Sequence, residues 1–245
     1  MARIAYDDLD AAAFAANRHV DDDGLAAWRE AISRHLKGRH LKGPRLLDLG
    51  AGTGWWSGAF CRWYEGIDVI AIEPSAAMRD RRVYPRMVAG DAAHLPLADG
   101  SVDAVWLSTV IHHIPELAAA ARELRRVLRP GGRVLIRSGF PGRSDGVTLF
   151  RFFPEAVRVV DTYPSVADIE AAFTGFTTVA LEPVRQTTAP SLRAAAAGLR
   201  RDAHTPLKLI ADDEYAAGLA RLHRAAEVES GPVIDVLDLL VLERD

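Results

Sequence analysis

The sequence predicts an α/β fold, a doubly wound and mostly parallel sheet of seven strands with an antiparallel last strand and an N-terminal helical cap. Two observations lead to this prediction. From Arg45 onward, short runs rich in Val, Ile and Leu alternate with stretches of helical periodicity, as in a sheet covered by helices. These runs are continuously apolar, which is typical of parallel strands that are buried on both faces.

The elements up to the fifth strand follow from this alternation. Two N-terminal helices are predicted at 8–18 and 22–38, the second from the helical spacing of Leu25, Trp28 and Ile32. Strands are predicted at 45–49, 68–72, 86–89, 102–107 and 132–137, and helices at 54–65, 74–81 and 116–128. The last of these helices stops at the sequence Arg129-Pro130-Gly131-Gly132.

The pattern changes after the fifth strand. Residues 139–160 mix turn-forming residues with clustered aromatic residues, and we interpret them as an insertion over the sheet edge. The remaining elements are a helix at 165–173, a strand at 176–184, helices at 190–201 and 212–227, and a strand at 233–242. We therefore expect a single domain, 1–245, with a helical cap (1–40), a cofactor-binding core (45–137) and a substrate-site insertion (139–160).

Composition excludes several classes of protein. The 245 residues carry a net charge of −3, so the chain lacks the positive field that favours nucleic acids or anionic membranes. A single cysteine, Cys61, excludes an internal disulfide and a cysteine-cluster metal site. The N-terminus does not resemble a signal peptide, and no apolar run reaches membrane-spanning length. We expect a cytoplasmic protein with no metal, no nucleic-acid partner and no membrane segment, and the oligomeric state stays open.

The turn after the first strand is rich in glycine. Gly50, Gly52 and Gly54 lie between a strand end and a helix start, where a ligand can approach the backbone closely. A pyrophosphate-binding dinucleotide fingerprint would require glycine at position 55, which is Trp55. The loop indicates a nucleotide-like ligand, although a merely tight strand-to-helix turn is the alternative.

Acidic residues follow the next two strands. Glu73 closes the second strand, about 20 residues beyond the glycines, where a carboxylate can accept hydrogen bonds from two ribose hydroxyls. Asp91 and Ala92 follow the third strand. A short carboxylate and the next backbone amide can recognise the adenine edge, the first accepting from the exocyclic amine and the second donating to a ring nitrogen. These residues therefore favour a ligand that contains adenosine.

The pattern resembles that of a known family. The glycine loop, the stretch Asp91-Ala92-Ala93-His94-Leu95-Pro96 and the sequence Arg129-Pro130-Gly131-Gly132 are similar to motifs of class I S-adenosylmethionine-dependent methyltransferases of the small-molecule type. The resemblance covers roughly residues 45–137. It implies a Rossmann-like fold, S-adenosylmethionine as cofactor and S-adenosylhomocysteine as product. It also implies cofactor-binding roles for Asp48, Gly50 and Gly52 (methionine end), Glu73 (ribose), Asp91 and Ala92 (adenine), and the Ser108 carbonyl (amino group). Ala51 and Pro74, beside them in the sequence, are expected to belong to the same cofactor site.

Two histidines are candidate catalytic residues. Methyl transfer from a sulfonium is an in-line displacement, so a base is needed only when the acceptor arrives protonated. His112 and His113 follow the fourth strand, and either could deprotonate a hydroxyl or amine near neutral pH. We prefer His113 over His112. Packing of these histidines against the sheet is the alternative.

Aromatic and basic residues could complete the site. An aromatic face attracts a sulfonium, and the candidates are Tyr6, Phe14, Trp55, Trp56 and Trp106. Core packing is favoured for most of them, Trp106 in particular, whereas Trp55 beside the glycine turn is open to either role. Two kinds of side chain, basic and aromatic, occur in the insertion and just before it. They are Arg137, Phe140, Arg143, Phe150, Arg151, Phe152 and Phe153. They could form an apolar pocket for an aromatic or carboxylate-bearing small molecule. Alternatively, they could be a hydrophobic staple with solvated arginines.

The expected function is methyl transfer to an oxygen or nitrogen, less readily a carbon, of a small molecule such as a specialised metabolite. A catalytically inactive S-adenosylmethionine-binding regulatory protein is the first alternative. A nicotinamide-dependent oxidoreductase is disfavoured by Trp55 and by the Asp91-Ala92 stretch. A nucleic-acid methyltransferase is disfavoured because Ser108-Thr109-Val110-Ile111 stands where such enzymes often carry Asn/Asp-Pro-Pro-Tyr/Phe to bind a flipped base.

Overall fold

A computed structural model describes residues 22–36 and 43–245, so the helix predicted at 8–18 and the side chains of Tyr6 and Phe14 lie outside the described residues. Seven strands form one sheet. Their bounds are β1 Arg45–Leu49, β2 Asp68–Glu73, β3 Met87–Ala89, β4 Val102–Ser108, β5 Leu128–Ser138, β6 Phe176–Ala189 and β7 Val233–Arg244.

Helices fill the connections between the strands. Within the described ranges they are α1 Ala26–Leu36, α2 Trp55–Trp63, α3 Ala76–Asp80, α4 Leu117–Val127, α5 Thr148–Phe152, α6 Val157–Val160, α7 Val166–Ala172, α8 Leu192–Gly198, α9 Thr205–Lys208 and α10 Asp212–Val228. Short 3₁₀ turns lie at Ile111–His113, Pro154–Ala156 and Arg201–Ala203. In this part of the chain no helix combines the length and the apolar character needed to cross a membrane.

The strand order is β3-β2-β1-β4-β5-β7-β6. Strands β1 to β5 run parallel to one another, whereas β7 runs antiparallel to both β5 and β6. The predicted fold class, including the antiparallel last strand, is therefore confirmed. The continuous apolar runs predicted this result, since both faces of the central strands are covered.

Each face of the sheet packs against its own helices. On one face Leu47 and Leu107 contact the apolar sides of α4 and α7. On the other face Trp106 packs against Trp28 of α1, with ring centroids 6.0 Å apart in an edge-to-face arrangement. Both indoles are completely buried, which confirms the core position expected for Trp106. Helix α1 is thus a cover for this face of the sheet.

A separate apolar cluster lies among helices that precede and follow β6 along the chain. Its buried residues come from α5, α6, α8, α9 and α10, and we call it the C-terminal helical cluster. Phe153 is fully buried at its centre and stacks on Tyr215, with ring centroids 5.6 Å apart. A Cβ on Gly218 would lie 2.2 Å from the Phe153 ring, so helix α10 approaches that ring at a position that has no side chain.

Two strand boundaries differ from the prediction by about four or five residues, whereas the other strand ends differ by two at most. Strand β5 begins at Leu128 rather than at residue 132, because Leu128 already pairs with Val102 before a register shift over the Arg-Pro-Gly-Gly sequence. Strand β6 continues to Ala189 because β7 pairs with it along its whole length. Pro183 does not interrupt β6, since a proline is tolerated in an edge strand such as this one.

Candidate active site

The candidate site lies where the strand order reverses. Strands β1 and β4 are neighbours in the sheet, and their following connections leave toward opposite sides. In doubly wound folds, ligands bind outside the carboxyl ends of the strands at this switch point. The order β3-β2-β1-β4 places side by side the predicted residues at the ends of these strands, namely Asp91, Glu73, the glycine loop and Ser108.

Left-handed backbone conformations shape the glycine loop. The φ angles of Gly50, Gly52 and Gly54 are +69°, +58° and +83°, a region that costs other residues conformational energy. The amides of Gly50 and Ala51 both donate to the carbonyl of Ile72 on β2, at 2.8 and 3.1 Å. A Cβ on Gly50 would lie 2.6 Å from a methyl group of Val110, so the loop packs tightly against the end of β4.

Asp48 is buried beneath the loop. The hydroxyl of Ser57, one turn into α2, donates to its carboxylate at 2.6 Å. Burial is the main cause that raises the pKa of Asp48 to about 7; hydrogen bonds from Ser57 oppose this rise, and the nearby negative charge of Glu73 adds to it. A cationic ligand group at this position would favour the ionised carboxylate.

Glu73 links β2 to the glycine loop. Its carboxylate accepts hydrogen bonds from the amides of Gly52 and Ser75, both at 2.8 Å. Burial raises the pKa of Glu73, while these two amides and Arg79 oppose the rise. The guanidinium of Arg79 donates to the carbonyls of Glu73 and Pro74 at 2.8 and 2.7 Å, which fixes the strand end. The carboxylate is thus held at the switch point in a defined orientation.

Asp91 caps the turn that follows β3. Its Oδ1 accepts from the amides of Ala93 and His94 at 2.8 and 3.0 Å. This turn orients the carboxylate, and the side chain of Asp91 is 57% exposed, so a ligand can reach it. Gly90 is confined between Ile72 and Pro96, since a Cβ there would lie 3.1 Å from each. The position of Asp91 therefore depends on the segment around Pro96.

The end of β4 is strained. Thr109 has φ +56°, an unusual value for a β-branched residue, and such strain is concentrated at functional sites. Its amide donates to the Arg137 carbonyl and its hydroxyl to the Ser108 carbonyl, both at 2.7 Å. The Ser108 carbonyl, predicted to bind the cofactor amino group, keeps a second lone pair for that role.

The two candidate histidines differ in environment. Both lie on the 3₁₀ turn that follows β4, with ring centroids 4.1 Å apart. His112 is buried and stacks on Tyr163 at 4.0 Å with nearly parallel rings. His113 is only partly buried. The environment of His112 fits a packing role, and His113 is the more accessible candidate base.

The basic residues of the insertion do not act as one group. Arg143 forms a bidentate ion pair with Asp238, at 2.6 and 2.9 Å, and Arg151 pairs with Glu229. Both arginines therefore pair with acidic side chains of this chain while their own side chains stay exposed to solvent. Arg137 instead lies on the sheet, donating to Gln186 at 2.6 Å, and its guanidinium carbon is 5.1 Å from the centroid of the Trp28 ring. Its Nη1 also donates to the hydroxyl of Ser108, at the end of β4, at 3.2 Å.

The aromatic residues of the insertion are mainly core. Phe140 packs in the core below the sheet, and Phe152 and Phe153 belong to the C-terminal helical cluster. Phe150 is partly buried against that cluster. Their burial fits the hydrophobic packing alternative better than a pocket wall. The insertion as a whole remains a predicted part of the substrate site.

Tryptophans border the glycine loop. Trp55 and Trp56 begin α2 and meet edge-to-face at 5.3 Å. Trp56 also contacts Trp106 at 4.9 Å and lies 5.5 Å from the guanidinium carbon of Arg137. Both side chains are partly buried.

Sequence reasoning missed two supports of the site. One is Ser57, whose hydroxyl binds Asp48. The only sign of this role in the sequence is a hydroxyl residue in the first turn of α2. The other is the pair Glu123 and Arg126 on α4, which binds the loop between β3 and β4. The spacing of this pair predicts contact along a helix, but its loop partners lie 27 to 31 residues away in the sequence.

The chemistry of the site suits a ligand that donates hydrogen bonds. Three carboxylates, those of Asp48, Glu73 and Asp91, lie along the carboxyl ends of neighbouring strands. They would repel a pyrophosphate, but they suit an ammonium, a ribose diol and an adenine amine. S-adenosylmethionine has all three groups. Among the described residues, no group of three or more His, Cys, Asp or Glu side chains is arranged to hold a metal ion.

Comparison with known proteins agrees with this geometry. Residues 47–136 match the family model of a methyltransferase domain. A demethylmenaquinone methyltransferase of Beutenbergia cavernae is 41% identical over 113 residues, covering 44% of this chain and 45% of the relative. A malonyl-acyl-carrier-protein O-methyltransferase of Methylococcus capsulatus is 38% identical over 126 residues, covering 47% and 46%. The chain thus spans just under half the length of these relatives.

Similarity of fold extends further than similarity of sequence. A putative methyltransferase from an antibiotic biosynthesis pathway of Anabaena variabilis superposes with a TM-score of 0.62, covering 88% of this chain and 96% of that one. The two chains are 20% identical, so this similarity concerns the fold. The described architecture is accordingly the Rossmann-like fold that the sequence motifs imply.

Proposed function

We propose that this chain, whose residues 47–136 match the model of a methyltransferase domain, transfers a methyl group from S-adenosylmethionine to an oxygen or nitrogen atom of a small molecule. The observation that carries this proposal is the row of carboxylates along the switch point. Their positions suit, in order, the ammonium, ribose and adenine of one ligand. S-adenosylmethionine supplies an electrophilic methyl group on a sulfonium, and S-adenosylhomocysteine is the product.

The residues of the chain have separate roles in binding this cofactor. Asp48, beside the Gly50–Gly52 backbone and Ala51, receives the ammonium of the methionine end. Glu73, oriented by the amides of Gly52 and Ser75, receives the ribose hydroxyls, with Pro74 beside it. Asp91 and the Ala92 amide recognise adenine, and the Ser108 carbonyl assists at the amino group. These residues would hold the cofactor at the switch point, at the carboxyl ends of β1 and β4.

Catalysis then requires an aligned acceptor and the exclusion of water. His113, partly buried at the end of β4, accepts the proton from an acceptor hydroxyl or amine. His112, stacked on Tyr163, supports the turn that presents His113. Segment 139–160 and Arg137 border the acceptor side. The two curated relatives carry names of enzymes acting on a quinone precursor and on a carrier-bound acyl group, which supports a small organic acceptor without specifying it.

The test of this function is transfer of a labelled methyl group. The protein is incubated with methyl-labelled S-adenosylmethionine and a panel of phenols, carboxylic acids and amines, and both labelled product and S-adenosylhomocysteine are measured. We expect turnover on at least one class, loss of turnover in Glu73→Ala, and no loss in Glu65→Ala, an exposed glutamate in the preceding helix-to-strand turn. Cofactor binding without turnover across the panel would favour the regulatory alternative.

A further inference from the structure

Helix α4 carries an ion pair that faces the loop between β3 and β4. The guanidinium of Arg126 donates to both carboxylate oxygens of Glu123, with Nε–Oε1 and Nη2–Oε2 distances of 2.8 Å. This two-point geometry fixes the orientation of the guanidinium plane. The hydrogen bonds from Arg126 are the main cause that lowers the pKa of Glu123 to about 2, against the opposing effect of burial, so the carboxylate is ionised throughout the physiological range.

The same pair binds the backbone of the loop. Arg126 donates to the carbonyl of Leu97 at 2.7 Å and to that of Leu95 at 3.0 Å. It also reaches the carboxylate of Asp99 at 2.8 Å. Glu123 in turn accepts from the amide of Leu95 at 2.9 Å. Two side chains therefore fix both ends of segment 95–99, and we call them the α4 clamp.

Segment 95–99 and the residue before it contact the residues proposed to recognise adenine. Pro96 lies close to Gly90, the residue immediately before Asp91, since a Cβ added to Gly90 would lie 3.1 Å from Pro96 Cδ, a tight contact. The amide of His94, next to Leu95, donates to the Asp91 carboxylate at 3.0 Å. A displacement of segment 95–97 would consequently rotate or shift the Asp91 carboxylate and the Ala92 amide. Neither Glu123 nor Arg126 needs to contact the ligand for this effect.

We propose that Glu123 and Arg126 are positioning residues for adenine recognition, because they hold segment 95–99 in the conformation that presents Asp91 and Ala92 to the base. The inference rests on the proposed binding of S-adenosylmethionine. Its consequence is one of specificity. Asp91 accepts from the exocyclic amine of adenine, but it repels the carbonyl oxygen that replaces this amine in a hypoxanthine base.

The experiment compares two ligands by calorimetry. S-adenosylhomocysteine and its inosine analogue, in which the adenine amine is replaced by a carbonyl, are titrated into wild type, Arg126→Ala and Glu123→Gln. Arg122→Ala is the matched control, since Arg122 is an exposed arginine one turn earlier on the same helix. Circular dichroism and thermal melting establish that each variant is folded.

We expect wild type and Arg122→Ala to prefer S-adenosylhomocysteine strongly. In Arg126→Ala the preference should fall by roughly 10-fold to 100-fold, the range that corresponds to losing one charge-assisted recognition contact. Glu123→Gln should lie between the two, because glutamine still accepts from Leu95 but pairs weakly with Arg126. A general loss of stability would weaken both ligands alike and leave their ratio unchanged.

The outcomes separate this inference from the proposed function. If wild type binds S-adenosylhomocysteine and both clamp variants keep the full preference for it, the clamp inference is wrong while the function stands. If wild type binds neither ligand, the proposed function itself fails. Should Arg126→Ala not fold, the ratio measured for Glu123→Gln decides, with a reduced preference supporting the clamp and an unchanged preference overturning it.

Discussion

Replacement of Gly50 by alanine tests whether the glycine loop is shaped by its contact with β4. The new Cβ would meet two obstacles. The first is the backbone, because φ is +69° and an alanine in the left-handed region costs about 1–2 kcal/mol. The second is Val110, whose Cγ1 and Cγ2 atoms would lie 2.6 and 2.7 Å from the new Cβ, an overlap that costs about 1–3 kcal/mol.

These two costs can be measured separately. Gly142 has φ +70° and its added Cβ would meet no atom within 4 Å, so Gly142→Ala reports the backbone cost of about 1–2 kcal/mol alone. Val110→Ala removes both clashing methyl groups and leaves Val110 Cβ at 3.3 Å. Gly50→Ala should therefore lower the free energy of unfolding by about 2–5 kcal/mol in wild type but by only about 1–2 kcal/mol in Val110→Ala.

Urea denaturation of wild type, the two single variants and the double variant measures the coupling between positions 50 and 110. A parallel cycle with Gly142→Ala measures the coupling between positions 142 and 110. We expect a coupling of about 1–3 kcal/mol between positions 50 and 110 and none between 142 and 110. Calorimetry with S-adenosylhomocysteine should also show weaker binding in Gly50→Ala. An equal loss of stability in the two backgrounds would refute the steric argument, and undiminished ligand binding would refute the assignment of the loop to the cofactor.

Three further predictions concern other parts of the molecule. Because burial raises the pKa of Asp48 from 3.8 to about 7, the folded state holds a proton that the unfolded chain releases, so stability falls between about pH 4 and pH 7, by on the order of 4 kcal/mol. Asp48→Asn should accordingly be more stable than wild type above pH 7 in urea titrations, lose this advantage near pH 4, and bind S-adenosylhomocysteine more weakly. Gly218→Ala should lower the free energy of unfolding by about 1–3 kcal/mol, because the new Cβ overlaps the Phe153 ring. Gly198→Ala, whose Cβ meets nothing within 4 Å, should leave it unchanged or raise it by up to about 1 kcal/mol. Thermal melting of the two variants distinguishes these opposite effects. His113→Ala should lower kcat by about 10²–10⁴-fold with unchanged cofactor affinity, and an unchanged kcat would exclude proton transfer by this histidine.

The central sheet was predictable because its signal is local. Apolar runs such as 45–49 and 102–107 are separated by turn and helix signals, and their continuity reflects burial on both faces. These local signals do not specify the order of the strands, which the structure gives. The start of β5 was not predictable in this way, since pairing of Leu128 with Val102 is a long-range contact that overrides a strong local turn signal.

The cofactor side of the candidate site was also accessible from sequence, whereas the acceptor side was not. Asp48, Glu73 and Asp91 each follow or end a predicted strand, so topology alone brings them to one edge. Arg143 and Arg151, by contrast, meet their acidic partners 95 and 78 residues away. No local pattern distinguishes such a paired arginine from one that faces a substrate. The C-terminal helical cluster escaped prediction for the same reason, because its packing partners are distant in the chain.

Calorimetric titration of the purified protein with S-adenosylmethionine and, in parallel, with NAD tests the central claim most directly. The three carboxylates at the switch point and the missing glycine at position 55 predict binding of S-adenosylmethionine in the micromolar range with one site per chain, and no comparable binding of NAD. Binding of NAD without binding of S-adenosylmethionine would contradict the assignment of the site and, with it, the proposed methyl transfer.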